Sequence, residues 1–225
     1  MCVILVSPPK ARPSLSTLQQ CAAANPNGGG IAWVESGVVQ YLKTDDIRRI
    51  HRTAHRAEGD VVVHFRIASV GGVCAELRHP FPVTARAGLS KRSTAPAVLF
   101  QNGTWSDWRD AVARAEALGH KAPAGKMSDA RAAAWLCHVH GKHEWLKSVG
   151  WSRWVYLTAG ELVLYGDWKE REGMRFSNLH WCGRDKSPPP HLACQTAKPP
   201  RQASLPFHPS PEFLATAARS RRRAG

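Results

Sequence analysis

The sequence predicts a mixed α/β chain with one sizeable core, and three observations carry that prediction. Short, apolar, β-branched runs such as Val3-Ile4-Leu5-Val6 and Val61-Val62-Val63 are bounded by Gly, Pro and Asn turns. Between them lie segments of helical apolar spacing that begin at Ser or Asp caps. The length of 225 residues with 43% hydrophobic content suffices for one core plus an appendage, rather than two domains.

Taken in order, Val3 to Val6 reads as a buried strand, broken by Ser7-Pro8-Pro9 and Pro13. Ser14 caps a helix through Leu15, Leu18 and Cys21 to Ala24, which Asn25-Pro26-Asn27-Gly28-Gly29-Gly30 stops. Ile31 to Glu35 and Val38 to Leu42 form a hairpin about Ser36-Gly37. The glycine cluster lacks a Walker Lys-Ser/Thr and leads into a strand, so it does not read as a phosphate cradle. Asp45-Asp46 opens a helix through Ile47, Ile50 and Ala54 with a basic, solvated outer face. Val61 to Ser69 reads as a largely buried strand that carries Arg66, whose charge must find an anion, either a structural carboxylate or a substrate. Ala97 to Gly103 is a further strand running into an Asn-Gly turn, and helices follow at Ser106 to Leu118 and Ser128 to His140. Trp154 to Leu157 and Glu161 to Tyr165 form a second hairpin, and Arg175 to Trp181 reads as a last strand.

No apolar run approaches the roughly 20 residues that cross a bilayer, and the start lacks the layout of a signal peptide. A cytoplasmic protein with no membrane partner is the expectation. Six Cys at irregular spacings, without a Cys-x-x-Cys pair, read as reduced thiols. Cys137, His138, His140 and His143 with Cys182 or Cys194 are zinc-ligand types. Adjacent side chains splay apart on a helix, however, and the spacing fits no standard finger. No metal and no cofactor are expected. The 31 basic residues against 17 acidic give +14, an attraction to polyanions. From Arg184 onward eight Lys and Arg face two acids. This Pro-rich segment, 183–225, cannot offset its own ordering entropy and is expected to be a disordered tail, with nucleic-acid contact as one possible use.

The start of the chain holds the sharpest chemical feature. Removal of Met1 by an aminopeptidase would leave Cys2 with a nucleophilic sulfur and a free α-amine on one carbon. The amine titrates near ~8 and the thiol near ~8.5, so one can relay the proton of the other near neutral pH.

Several motifs join this cysteine in a fixed order. They are Asn27-Gly28-Gly29-Gly30-Ile31-Ala32, His64-Phe65-Arg66-Ile67-Ala68-Ser69-Val70-Gly71, His79-Pro80-Phe81, Phe100-Gln101-Asn102-Gly103 and Ser128-Asp129. The order resembles that of class II glutamine amidotransferases, which are N-terminal-nucleophile hydrolases, over residues 2–182. Here Ser69 stands where the family commonly has Thr, which keeps the hydroxyl. The resemblance implies an α+β fold, a four-layer α/β/β/α sandwich of two mainly antiparallel sheets. It implies that Cys2 attacks the side-chain amide of glutamine, forms a γ-glutamyl thioester and releases ammonia. By the same resemblance Asn102 and Gly103 form the oxyanion hole, and Arg66 grips the glutamine α-carboxylate. Asp129 pairs with the α-ammonium, and Ser69 and His79 belong to the substrate site.

No acceptor domain fits into the 43 residues beyond 182, so the chain resembles the short stand-alone members of bacterial and phage genomes. A separate ammonia-accepting synthase is the implied partner. Two other readings stay open: a basic nucleic-acid-binding protein without catalysis, supported by net charge, nine Trp and Arg221-Arg222-Arg223, and an N-terminal-nucleophile hydrolase of another amide.

Overall fold

The computed structural model describes residues 2–68 and 72–182. Among these residues, seven strands form one sheet and four form another, and every pairing is antiparallel. At the centre of the larger sheet lie β1 (Val3–Ser7), β2 (Gly29–Glu35) and β4 (Val61–Phe65), in the order β1-β4-β2. Outward run β3 (Val38–Thr44) and β6 (Arg92–Ala95) on one side, and β11 (Met174–Phe176) and β10 (Lys169–Arg171) on the other. The smaller sheet has the order β5 (Phe81–Pro82), β7 (Ala97–Asn102), β8 (Arg153–Thr158) and β9 (Leu162–Tyr165).

The alternation of each strand shows how the layers stack. Val3, Leu5, Val61, Val63 and Phe65 pack on Leu18 and Cys21 of α1 (Leu15–Ala24) and on Ile50 and Ala54 of α2 (Ile47–Arg56). The opposite face puts Ile4, Val6, Ala32 and Val62 against Val98, Phe100, Val155 and Leu157 of the smaller sheet. That sheet turns Ala97, Leu99 and Trp154 to Ala130, Ala133, Ala134 and Cys137 of α4 (Asp129–His140), and α3 (Trp108–Ala117) packs Ala115 beside Trp135 and Leu136 of α4. The result is α/β/β/α. Because both faces of β1 and β4 are covered, their sequences are continuous apolar runs rather than alternating ones. Each fully buried Val, Leu, Ile or Phe contributes about 1.5–3 kcal/mol.

Caps follow the sequence closely. Ser14 Oγ accepts the Thr17 N–H at 3.0 Å, Asp46 Oδ1 accepts that of Arg49 at 2.9 Å, and Ser128 Oγ accepts that of Arg131 at 3.2 Å. The third helix departs from expectation and begins at Trp108 without a side-chain cap. Ser106 Oγ donates to Asp107 Oδ1 at 2.7 Å, which takes up the carboxylate that would have capped it.

Two strands are shorter than their apolar runs. The run from Val61 leaves the sheet after Phe65, because Phe65 already pairs with Val3 of β1 and with Gly29 of β2, the first residue of each. Arg66 therefore stands one residue past the strand, not within it. The last strand stops at Phe176, and the chain then turns, with Trp181 Nε1 donating to the Asn178 carbonyl at 3.2 Å. Conversely β5, β6 and β10 span two to four residues, too short to show a period in sequence. No described helix is long and apolar enough to cross a membrane. Ser69 and the tail expected at 183–225 lie outside the described residues.

Candidate active site

Antiparallel pairing brings the start of β1 to the end of β4, so Cys2 falls beside Arg66 and Ile67. The end of β7 and the start of α4 reach the same corner. A recess there is lined by Cys2, Arg66, Ile67, Leu77, His79, Gln101, Gly103, Ser128 and Asp129. It brings together Cys2, Arg66, His79, Gly103 and Asp129 of the residues singled out in the sequence. Asn102 is not among these lining residues.

Cys2 Sγ stands 3.3 Å from both the N and the O of Ile67, accepting from the amide and donating to the carbonyl. Burial pushes its thiol pKa up, opposed by the Ile67 N–H and the Arg66 guanidinium. Its main chain is held too, by Asn178 Nδ2 donating to the Cys2 carbonyl at 2.7 Å.

Arg66 is 4% exposed, and its Nη1 donates to the Gly72 carbonyl at 2.8 Å. Burial lowers its pKa, while Cys2, Cys74 and Asp129 favour its charge and Arg78 opposes it. Its backbone is fixed at both groups, N–H to the Gly28 carbonyl and carbonyl to the Asn27 N–H, each at 2.9 Å. Asp129, the first residue of α4, accepts the Trp105 N–H on Oδ2 at 3.0 Å. Burial raises its carboxyl pKa, and bonds from the Trp105 and Ala130 N–H groups and from Gln101 oppose that rise. A cation and an anion thus face one recess from two different elements.

The Asn-Gly turn closes the third side. Gly103 has φ +149°, and any Cβ there would stand 2.7 Å from Ser152 Cα, so only glycine fits. Period-two alternation turns Gln101 toward α4, where its Nε2 donates to Ser152 Oγ at 3.1 Å, and turns Asn102 inward between the sheets. Asn102 Nδ2 donates to Ser177 Oγ at 2.7 Å, and its Oδ1 is buried without a partner.

His79, which lines the recess, belongs to a buried basic group. His79 has neither ring nitrogen bonded, and its ring lies 4.1 Å from that of His64, whose Nε2 is 3.2 Å from the Gln101 carbonyl oxygen. Burial holds both imidazoles neutral, His64 at about 3 and His79 well below its ordinary value. Lys43 is pushed down to about 7 by burial, with Nζ donating to the Glu76 carbonyl at 2.9 Å and lying 4.6 Å from the Phe81 ring centroid. The glycine cluster of the sequence serves this packing, because a Cβ on Gly30 would collide with the His79 carbonyl.

Sequence reading missed several buried polar residues of this end of the sandwich. Lys43 was detectable, since a lysine in an otherwise apolar strand raises the same question as Arg66. Ser177 and Asn178 carried no signal, being ordinary polar residues after a short strand. Among the described residues no group of three or more His, Cys, Asp or Glu is placed to hold a metal ion.

No family model and no curated protein matches the chain. Solved structures do. Glutamine phosphoribosylpyrophosphate (PRPP) amidotransferase from B. subtilis, complexed with ADP and GMP, superposes with TM-score 0.51 at 13% identity, over 78% of this chain and 41% of that one. A structure described as the allosteric regulatory enzyme of purine biosynthesis gives 0.52 at 14%, with the same coverage. The chain therefore spans about two fifths of the length of these neighbours. The fold is a four-layer α/β/β/α sandwich, shared over 78% of this chain with the structure of a glutamine PRPP amidotransferase.

Proposed function

We propose that the chain hydrolyses the side-chain amide of glutamine with Cys2 as an N-terminal nucleophile and supplies the ammonia to a separate synthase. The observation that carries this reading is that Cys2, Arg66, Gly103 and Asp129, from four distant segments, line one recess. Once Met1 is removed, the α-amine of Cys2 takes the thiol proton as Sγ attacks the amide carbon. That proton passes to the departing nitrogen, which leaves as ammonia, and water then cleaves the γ-glutamyl thioester to glutamate and the free thiol. The oxygen that gains charge is met by the Gly103 N–H and the Asn102 carboxamide, each donor of this kind supplying roughly 3 kcal/mol. Arg66 exchanges its bond to the Gly72 carbonyl for the α-carboxylate, and Asp129 faces the α-ammonium. His79, neutral and unbonded, offers one donor and one acceptor to the substrate.

One observation favours a second reading, in which the amide is not glutamine. The recess encloses only about 20 Å³, and both Arg66 and Asp129 are already bonded to main chain. Glutamine must displace those contacts, whereas a smaller amide need not.

The test is ammonia release from glutamine, asparagine and simple primary amides, with mass spectrometry of the intact protein. Loss of Met1 and covalent labelling of Cys2 by diazo-oxo-norleucine are the expected results. Retention of Met1 in active protein would overturn the mechanism, and turnover of simple amides in preference to glutamine would transfer it to the second reading.

A further inference from the structure

The carboxamide of Asn102 is buried, the residue 1% exposed, with its nitrogen bonded to Ser177 Oγ and its oxygen bonded to nothing. Ser177 Oγ also accepts the Ile4 N–H at 2.8 Å, so in this arrangement the serine oxygen takes two hydrogen bonds. A buried amide oxygen without a donor is costly, and such groups call for an explanation. A half-turn of the terminal torsion exchanges the oxygen and nitrogen of Asn102 within the same volume, because the carboxamide is planar. The Ser177 hydroxyl then donates to Oδ1 while still accepting from Ile4. The NH2 group comes to lie where the oxygen had no partner, as a buried donor awaiting an acceptor. A developing oxyanion is such an acceptor.

We infer that Ser177 is the positioning residue of the oxyanion site: its hydroxyl holds the Asn102 oxygen so that the amide NH2 faces the reacting carbonyl. The inference rests on the oxyanion role proposed above for Asn102. Serine suits the task because a hydroxyl both donates and accepts, and so keeps its bond to Asn102 in either orientation. Ser177 is itself tied to the nucleophile's strand, through its Oγ to the Ile4 N–H and through its own N–H to the Ile4 carbonyl at 2.9 Å. One residue thereby fixes the distance between the strand that follows Cys2 and the donor that must meet the oxygen on the attacked carbon.

The experiment is a double-mutant cycle read by ammonia release. Ser177→Ala is expected to lower kcat by roughly 10- to 100-fold with KM changed less than about twofold, and Ser177→Thr to recover most of the loss. In an Asn102→Ala background Ser177→Ala should cost nothing further. A second readout is binding of glutamate γ-semialdehyde, whose carbonyl carbon bonds to Cys2 Sγ while the thiol proton moves to the carbonyl oxygen. Ser177→Ala should weaken this adduct by about tenfold or more and leave the affinity for glutamate unchanged. If Asn102→Ala leaves kcat intact, the oxyanion reading itself fails. If Asn102→Ala lowers kcat but Ser177→Ala does not, or if the serine's effect persists undiminished without Asn102, the Ser177 assignment fails alone. Should Ser177→Ala not fold, Ser177→Cys, of similar shape and weaker donor strength, is read in the same cycle and is expected to give an intermediate loss.

Discussion

The two ends of the sandwich differ in the opposite sense to what size would suggest. At the Cys2 end the recess encloses about 20 Å³, whereas at the far end Ser36, residues 57–60 and residues 158–161 frame an open cleft of about 630 Å³. The wide cleft is lined by Trp33, Leu157 and Leu162 with Glu35, Glu58, Asp60 and Glu161, of which Glu35, Glu58 and Glu161 are exposed. The narrow end instead gathers a thiol, a guanidinium and a carboxylate, each with its pKa displaced by burial, and unbonded polar atoms on His79, His64 and Asn102. Volume alone would favour the wide cleft as a binding site. Buried groups with shifted proton affinity are the better marker of chemistry, because they cost stability that packing residues would not.

The comparison breaks most directly at Cys2, the proposed nucleophile. Cys2→Ala should lower ammonia release by on the order of 10³-fold or more, while Asp60→Asn and Glu161→Gln in the wide cleft should leave it within about twofold. Loss of activity from the cleft variants in folded protein would reverse the assignment of the two ends.

Glycines give a second contrast. Gly103→Ala forces a side chain into Ser152 at φ +149° and moves the main-chain donor proposed for the oxyanion, so kcat should fall by about 100-fold with lower thermal stability. Nothing lies within 4 Å of the Cβ that Gly160→Ala would add at the other end, so that variant should match the parent in both measurements.

A smaller effect separates binding from chemistry within the narrow end. Arg66→Lys keeps the charge but loses the fork, and Asp129→Asn keeps the shape but loses the charge. Each should raise KM for glutamine by about tenfold with a lesser fall in kcat, as measured by initial rates. A kcat-dominated loss would mean that these groups touch the reacting atoms.

Which parts of this were legible in the sequence follows from what each part depends on. Residues 15–24 and 129–140 were legible because Ser14 and Ser128 cap them and the apolar spacing is local. The sandwich followed from the order of motifs, since periodicity shows that strands exist and not which strands pair. Arg66 was legible as a charge in an apolar run, but its place just beyond β4 was not, because strand length is set by where β1 and β2 begin. The bond that Ser177 makes to Asn102 spans 75 positions in sequence, and no local pattern encodes such a contact.

The smallest predicted effect concerns Lys43, which the narrow end buries and for which the wide cleft has no counterpart among its lining residues. Its ammonium is 3% exposed as a residue, bonded to the Glu76 carbonyl and stacked over Phe81, with Arg131 and Arg66 adding to the repulsion that burial begins. Its pKa falls to about 7 in the folded chain, against 10.5 for the ordinary side chain. Between these values the unfolded chain holds a proton that the folded chain has released, so unfolding takes up a proton and stability rises with pH. The contribution is fully present above 10.5 and is lost as pH falls through about 7. Lys43→Met removes this dependence, because its side chain has similar length and no charge. The difference in melting temperature between Lys43→Met and the parent should therefore be greatest at pH 6, a few degrees in favour of the variant, and should shrink steadily toward pH 10. Thermal melts of both proteins across that range decide the matter. A difference that is flat with pH would show that Lys43 titrates normally, and with it that water reaches the space behind the recess.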